Sequence, residues 1–168
     1  MPMTRRLGVK LVKQIPGYCG PACLKMVLNF FGVDKNLNEL GKMMKTREYK
    51  HPAGSTGESM VKVAKKFGLD GFVKDWSQLK DIREYVQHRK IPVILSWFSG
   101  YESHFSVIVK IDNEYIYHLD PEYDTLRKMS FKRLASVWFE FLNGFRQPRP
   151  KLIVRRLIVI YPKTLKLR

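Results

Sequence analysis

The sequence predicts an α+β domain, with helices first and an antiparallel sheet after them. Up to about residue 89, apolar residues recur at helical spacing and the runs end at glycine. From about residue 91 the apolar residues fall into short runs, continuous or alternating in period two, separated by turn residues. At 168 residues the chain reads as a single domain over 1–168, long enough to bury a core without staples.

The elements follow in order. Residues 15–32 read IPGYCGPACLKMVLNFFG. Pro21 suits a first helical turn, Ala22, Leu24, Met26, Val27, Leu28, Phe30 and Phe31 follow, and Gly32 ends the run. A short helix is expected over Leu37 to Met44. HPAGSTGES, residues 51–59, reads as a loop in which Ser55 and Glu58 match a capping box. The next helix carries Met60, Val61, Val63, Ala64 and Phe67 to Gly68. DGFVKDW is a short strand or turn. Ser77 is placed to cap a helix reaching about Arg89, with Leu79, Ile82 and Val86 on one face.

IPVILSWF then reads as a buried strand beginning after Pro92. HFSVIVKI and EYIYHLD alternate on either side of Asp112-Asn113, a turn signal. DTLRKM is a weaker strand. Ser130 is placed to cap a helix over FKRLASVWFEFL, and KLIVRRLIVIY is a last strand with two arginines at its middle. No repeat, low-complexity tract or interdomain linker interrupts the pattern.

Composition excludes several classes. No run nears the roughly 18 apolar residues that span a bilayer. The opening MPMTRRLGVKLVKQ has no apolar signal core, so nothing suggests secretion. Two cysteines make no disulfide framework, and a reducing, cytoplasmic setting is expected. Lysine and arginine number 31 against 15 acidic residues, a formal charge of +16. The excess lies at both ends: no acidic residue precedes Asp34, and eight basic residues and no acidic one follow from Arg146. Such termini attract nucleic acid, an anionic membrane surface or acidic peptide, or are simply a solvated basic surface. Specific nucleic-acid motifs are absent.

The chemistry centres on Cys19. A thiol reacts as its thiolate, and the partial positive charge at a helix N-terminus favours an anion. Cys19 stands just ahead of Gly20-Pro21, at the foot of the first helix. Cys23 lies one turn deeper, among apolar residues, as a small core residue. A nucleophile needs a base. His51 and His88 read as surface residues, whereas His104 opens a strand directly after SGYES, with its ring at an open edge. Asp120, at the end of the next strand, would orient that ring. His118, inside the same strand, is the rival base. Gln14 and the Cys19 backbone N–H would be the oxyanion donors. No cofactor is required, and no ligand spacing supports a metal.

Strand parity tests the His104–Asp120 pairing. A strict two-residue loop at Asp112-Asn113 sets Asp120 on the opposite side of the sheet from His104. A three-residue loop, Asp112 to Glu114, puts Phe105, Val107, Val109 and Ile111 with Tyr115, Tyr117 and Leu119. The other face then carries His104, Ser106, Ile108, Ile116, His118 and Asp120. That register also brings Asp120 diagonally beside His104. An odd-length loop or a bulge is therefore expected.

QIPGYCGPACLKMVLNFFG, HFSVIVKID and YHLDPEY, in that order, resemble the C39 cysteine peptidases, a papain-like branch that includes the double-glycine leader peptidase domains of bacteriocin exporters. The resemblance spans roughly Lys13 to Tyr161. It implies a papain-like fold, with Cys19 as nucleophile, His104 as base, Asp120 as its orienting group and Gln14 in the oxyanion hole. The chain departs from the exporter pattern in having Tyr18 where an aspartate usually precedes the cysteine, and a glutamine–cysteine interval of five rather than six. The expected activity is hydrolysis of a peptide or protein substrate, with leader or precursor processing as the nearest case. Trp97, Phe98 and Tyr101, with Gly54 and Ser55, would line the peptide cleft or serve as packing. Three rivals stay open: an acyl transferase or isopeptidase using the same groups, a silent peptide-binding module, and a nucleic-acid binder driven by the basic ends.

Overall fold

The computed structural model describes residues 5–46, 55–142, 148–149 and 151–167. Three helices lead, α1 (Cys19–Phe30), α2 (Leu37–Met43) and α3 (Gly57–Lys66). They are followed by β1 (Leu69–Lys74) and α4 (Leu79–Ile82), which widens into a π-helical turn over Arg83–His88. The sheet strands β2 (Val93–Phe98), β3 (Ser103–Ile111), β4 (Tyr115–Leu119) and β5 (Leu126–Ser130) come next. Then come α5 (Phe131–Val137), β6 (Phe139–Phe141), β7 (Leu152–Val154) and β8 (Leu157–Pro162). The main sheet runs β1-β8-β2-β3-β4-β5, antiparallel at every pairing. β6 and β7 form a separate ribbon. Among the described residues no helix is long and apolar enough to cross a membrane.

The apolar stripe of α1 explains where the sheet carries its helices. Ala22, Cys23, Met26 and Val27 are fully buried, and α1 packs on β3 and β2 and against α2 and α3. Each large apolar side chain buried here contributes roughly 1.5–3 kcal/mol. Gly32, in the left-handed region at φ 82°, stops the helix as its spacing predicts. Tyr18, ahead of α1, lies flat against Gly41 of α2, where any larger residue would collide with its ring.

Several expectations change in detail. The capping box of α3 uses Thr56 and Ser59, one residue beyond the expected Ser55–Glu58 pair. Ser77 does not cap α4; its hydroxyl donates to the Lys74 carbonyl, and Asp81 accepts from the Gln78 N–H instead. Ser130 caps α5 as expected, but the helix ends at Val137. The cause is Trp138, whose carbonyl accepts from Arg155 N–H and whose indole donates to the Arg156 carbonyl. That anchor turns FEF into a strand. The same corner splits the expected last strand in two: Arg155 takes φ 51°, and Arg156 turns inward onto Asp75, Glu58 and Glu140.

The β3–β4 hairpin shows a bulge. Near the turn, Ile111 faces Ile116 and Lys110 faces Tyr117; beyond Val109, Ile108 faces His118 and Val107 faces Leu119. The loop is the two residues Asn113-Glu114, inside an Asp112 N–H to Tyr115 carbonyl bond of 3.0 Å. Asp112 Oδ1 accepts from the N–H groups of Glu114 and Tyr115, which holds that turn. The extra residue restores, past Val109, the register that joins His104, Ser106, His118 and Asp120 on one face. It also moves Ile111 to the Ile116 side, not the Tyr117 side that a three-residue loop would give. The Val109 carbonyl accepts from Leu7 N–H at 2.9 Å, so the bulge also anchors the N-terminal segment.

Candidate active site

Cys19 is the first residue of α1 and is buried, with Tyr18 at the N-cap making no side-chain cap bond. The helix therefore starts one residue earlier than Gly20-Pro21 suggests, which puts the thiol in the first turn itself. α1 packs across β3, and His104 lies near the start of β3. His104 Nε2 lies 2.7 Å from Asp120 Oδ1, and the Cys19 thiol is near enough to His104 to raise its pKa. Asp120 takes Nε2, which leaves Nδ1 outside that bond.

The electrostatics favour a charged ring. Burial alone pushes the His104 pKa down, but the hydrogen bonds and charges of Asp120 and Cys19 lift it to about 10. Burial works against the Asp120 carboxylate, yet the His104 bond and charge, with the Glu122 N–H, hold its pKa below the usual range. Asp120 is 1% exposed, and each oxygen has a donor. Oδ1 also accepts from Glu122 N–H at 3.1 Å, and Oδ2 accepts from Arg127 Nη1 at 2.9 Å.

His118 is held differently. It is buried, and its Nδ1 lies 2.9 Å from Ser106 Oγ, which also accepts from Trp97 Nε1 at 3.2 Å. The indole N–H donates to Ser106 Oγ, and the same hydroxyl meets His118 Nδ1, so one serine joins the two rings. Burial first, then the charges of Arg127 and His104, push its pKa down to about 4 against the pull of Asp120. At neutral pH the ring is therefore uncharged.

The other expected residues divide. Gln14 is half-buried; its N–H donates to the Pro121 carbonyl at 2.9 Å, one residue past Asp120. Its Oε1 is buried and makes no hydrogen bond among the described residues. Trp97 faces His104 across the β2–β3 pair, 6% exposed, with its ring edge-on to His104 at 5.5 Å. Strand pairing sets the indole beside the imidazole, the two ring planes 78° apart. Phe98 stacks on Phe139 at 5.2 Å and meets Phe141 edge-on, which places it in the contact with β6. Tyr101 is 82% exposed on the turn before β3. Ser55 packs against Gly20, next to Cys19, and its hydroxyl is 2.6 Å from Thr46 Oγ1. Gly54 and His51 lie outside the described residues.

Sequence reading missed Arg127 and Ser106. The signal for Arg127 lies in the β4–β5 register, which sets it opposite His118. That register depends on the hairpin length, which the weak DTLRKM pattern did not fix. One group among the described residues has metal-ligand geometry: His104, Asp120 and Glu122 offer atoms within 4.8 Å of one another. His104 Nε2 and Asp120 Oδ1 are already engaged with each other, so the arrangement favours an oriented imidazole over an ion site.

The comparisons agree on the architecture. The model of the peptidase C39 family matches residues 9–143. The chain is similar to the peptidase domain of Streptococcus ComA, a bifunctional ABC transporter involved in a quorum-sensing pathway, with 22% identity, TM-score 0.69, and coverage of 92% of this chain and 99% of that one. It is similar to a double-glycine motif protease from an AMS/PCAT transporter, solved with a leader peptide, with 20% identity, TM-score 0.65, and coverage of 96% and 98%. A C39-like peptidase from Bacillus anthracis matches at 14% identity and TM-score 0.66, covering 90% of this chain and 94% of that one. At these identities the solved structures carry the fold alone. No curated protein sequence matches the chain.

Proposed function

The chain belongs to the peptidase C39 family, and from that premise we propose that it is a cysteine peptidase acting through Cys19, His104, Asp120 and Gln14. The observation that carries the reading is the buried His104–Asp120 pair, 2.7 Å apart through Nε2, beside Cys19 at the start of α1, whose thiol raises the His104 pKa. His104 takes the thiol proton and is held as an imidazolium by the Asp120 carboxylate. The thiolate, at the positive end of α1, attacks the scissile carbonyl. The Cys19 N–H and the Gln14 side-chain amide receive the oxyanion. His104 then protonates the leaving amine, and a thioester remains. Water, deprotonated by His104, attacks the thioester; the new carboxylate leaves and the thiol is restored.

The substrate is a peptide or protein. A leader-bearing precursor is the class supported by the similar double-glycine motif protease, which was solved with a leader peptide. Cys23 takes no part: it is fully buried, and burial, then the neighbouring Cys19 and Asp120, pushes its thiol well up. The test is hydrolysis of a peptide library read by mass spectrometry of the new termini. Cleavage that survives Cys23→Ala and disappears in Cys19→Ala supports the proposal. No cleavage by the wild type, or cleavage that persists in Cys19→Ala, overturns it.

A further inference from the structure

We propose that Arg127 is a positioning residue that holds the Asp120 carboxylate in the orientation that aims His104. The inference rests on the peptidase reading for its consequence, and on the contacts that Arg127 and Tyr123 make with Asp120 for its evidence. Arg127 lies on β5 opposite His118, and its Nη1 donates to Asp120 Oδ2 at 2.9 Å. Its guanidinium lies over the Tyr123 ring, 4.1 Å from the centroid. The Tyr123 N–H in turn donates to the Asp120 carbonyl at 3.0 Å. Cation, ring and turn therefore brace one another around a single carboxylate.

Burial decides whether this is more than a surface ion pair. Lys13–Asp124 is a pair of the ordinary kind, with both side chains largely exposed at 60% and 74%, and such pairs contribute little. In Arg127–Asp120 the cation is 38% exposed but the carboxylate only 1%. A donor lost at so buried a carboxylate costs more than one lost at the surface. Oδ1 has two donors, His104 and Glu122, while Oδ2 has the guanidinium. Without Arg127, Oδ2 loses its charged donor. The carboxylate then rotates toward another donor or takes up a proton, and either change loosens its grip on His104 Nε2.

The experiment compares wild type, Arg127→Gln, Arg127→Lys and Lys128→Gln. Lys128 is the exposed neighbour on β5 and controls for the loss of one positive charge. Two readouts are taken: kcat and KM on a cleaved peptide, and the Nε2 proton of His104 in histidine-labelled protein, assigned by its loss in His104→Asn. Arg127→Gln is expected to lower kcat about ten- to hundredfold at unchanged KM and to make the His104 proton exchange with water. Arg127→Lys restores part of both, and Lys128→Gln changes neither. Arg127→Met, which keeps the stem over Tyr123, takes over if the glutamine variant does not fold. A folded glutamine or methionine variant with wild-type kcat and a wild-type His104 proton overturns the proposal. Iodoacetamide separates the two readings: a wild-type Cys19 that alkylates no faster than a cysteine in the unfolded chain defeats the peptidase reading, while the His104 proton still decides Arg127.

Discussion

Asp120→Asn is the most informative single change at the site. Asp120 accepts at both oxygens: His104 at 2.7 Å and Glu122 N–H at 3.1 Å on Oδ1, Arg127 at 2.9 Å on Oδ2. Asparagine has one acceptor oxygen and an NH2 group that only donates. With its oxygen kept on His104 and Glu122, the NH2 faces the Arg127 guanidinium, donor against donor. With the amide flipped, Arg127 is kept and two bonds are lost. At least one charge-assisted hydrogen bond disappears in either case, worth about 1.5–3 kcal/mol, and those that remain fall to neutral strength, about half. For a domain of this size the melting temperature should fall about 3–12 °C. The imidazolium that accompanies the attacking thiolate loses its counter-charge, so the same energy in the transition state lowers kcat/KM about 10- to 150-fold. Thermal melts and steady-state hydrolysis read the two effects separately. Adding Arg127→Gln to Asp120→Asn should cost less than it does alone, because the donor conflict goes with it. An Asp120→Asn protein with wild-type kcat/KM at neutral pH would refute the reasoning.

Other predictions concern the rest of the site and its frame. Gln14→Ala should lower kcat roughly 10²–10³-fold, the usual loss for one oxyanion donor, without changing the melt; a drop confined to KM would remove Gln14 from that role. The raised pKa of His104, about 10, means its partners stabilise the folded state fully below the unfolded value of roughly 6.5, and this is lost as pH rises through about 10. Wild type should therefore lose more stability than His104→Asn between pH 7 and 10 in denaturant titrations; parallel curves would contradict it. Gly20→Ala places a carbon 2.8 Å from Ser55 Cβ and 2.9 Å from its Oγ, so the 55–56 segment must shift beside Cys19; activity should fall more than the melt, as paired kinetics and calorimetry would show. Arg156→Leu leaves the buried Glu140 without its cation and should cost about 3 kcal/mol, whereas Glu58→Gln, at a 58% exposed carboxylate, should cost under about 1 kcal/mol; equal losses in urea melts would refute that ranking.

Much of this was legible in the chain. The stripe of α1 and the alternation of β3 and β4 are strong periodic signals, and burial follows them directly. The parity of His104 and Asp120 was legible too, because a one-residue slip exchanges the two faces; whether a loop or a bulge supplied the extra residue was not, since both satisfy parity. Capping shifted by one residue at Thr56 because Ser55 and Thr56 compete and the loop before them decides the winner. The fate of Trp138 depends on Arg155 and Arg156, distant in sequence, so a local helical pattern could not foresee β6. Trp97 was left between cleft lining and packing, because only pairing across β2 and β3 shows that it sits edge-on beside His104. Arg127 required both hairpin registers at once.

The central claim is that His104, held by Asp120, activates Cys19 and not Cys23. A peptide carrying a thiol-reactive electrophile at its C-terminal carbonyl tests it most directly, with intact-mass and peptide-mapping readout on wild type, Cys19→Ala, Cys23→Ala and His104→Ala. The account predicts one adduct, mapped to Cys19, in wild type and Cys23→Ala, and none in the other two. An adduct on Cys23, or labelling of Cys19 at the same rate without His104, would contradict it.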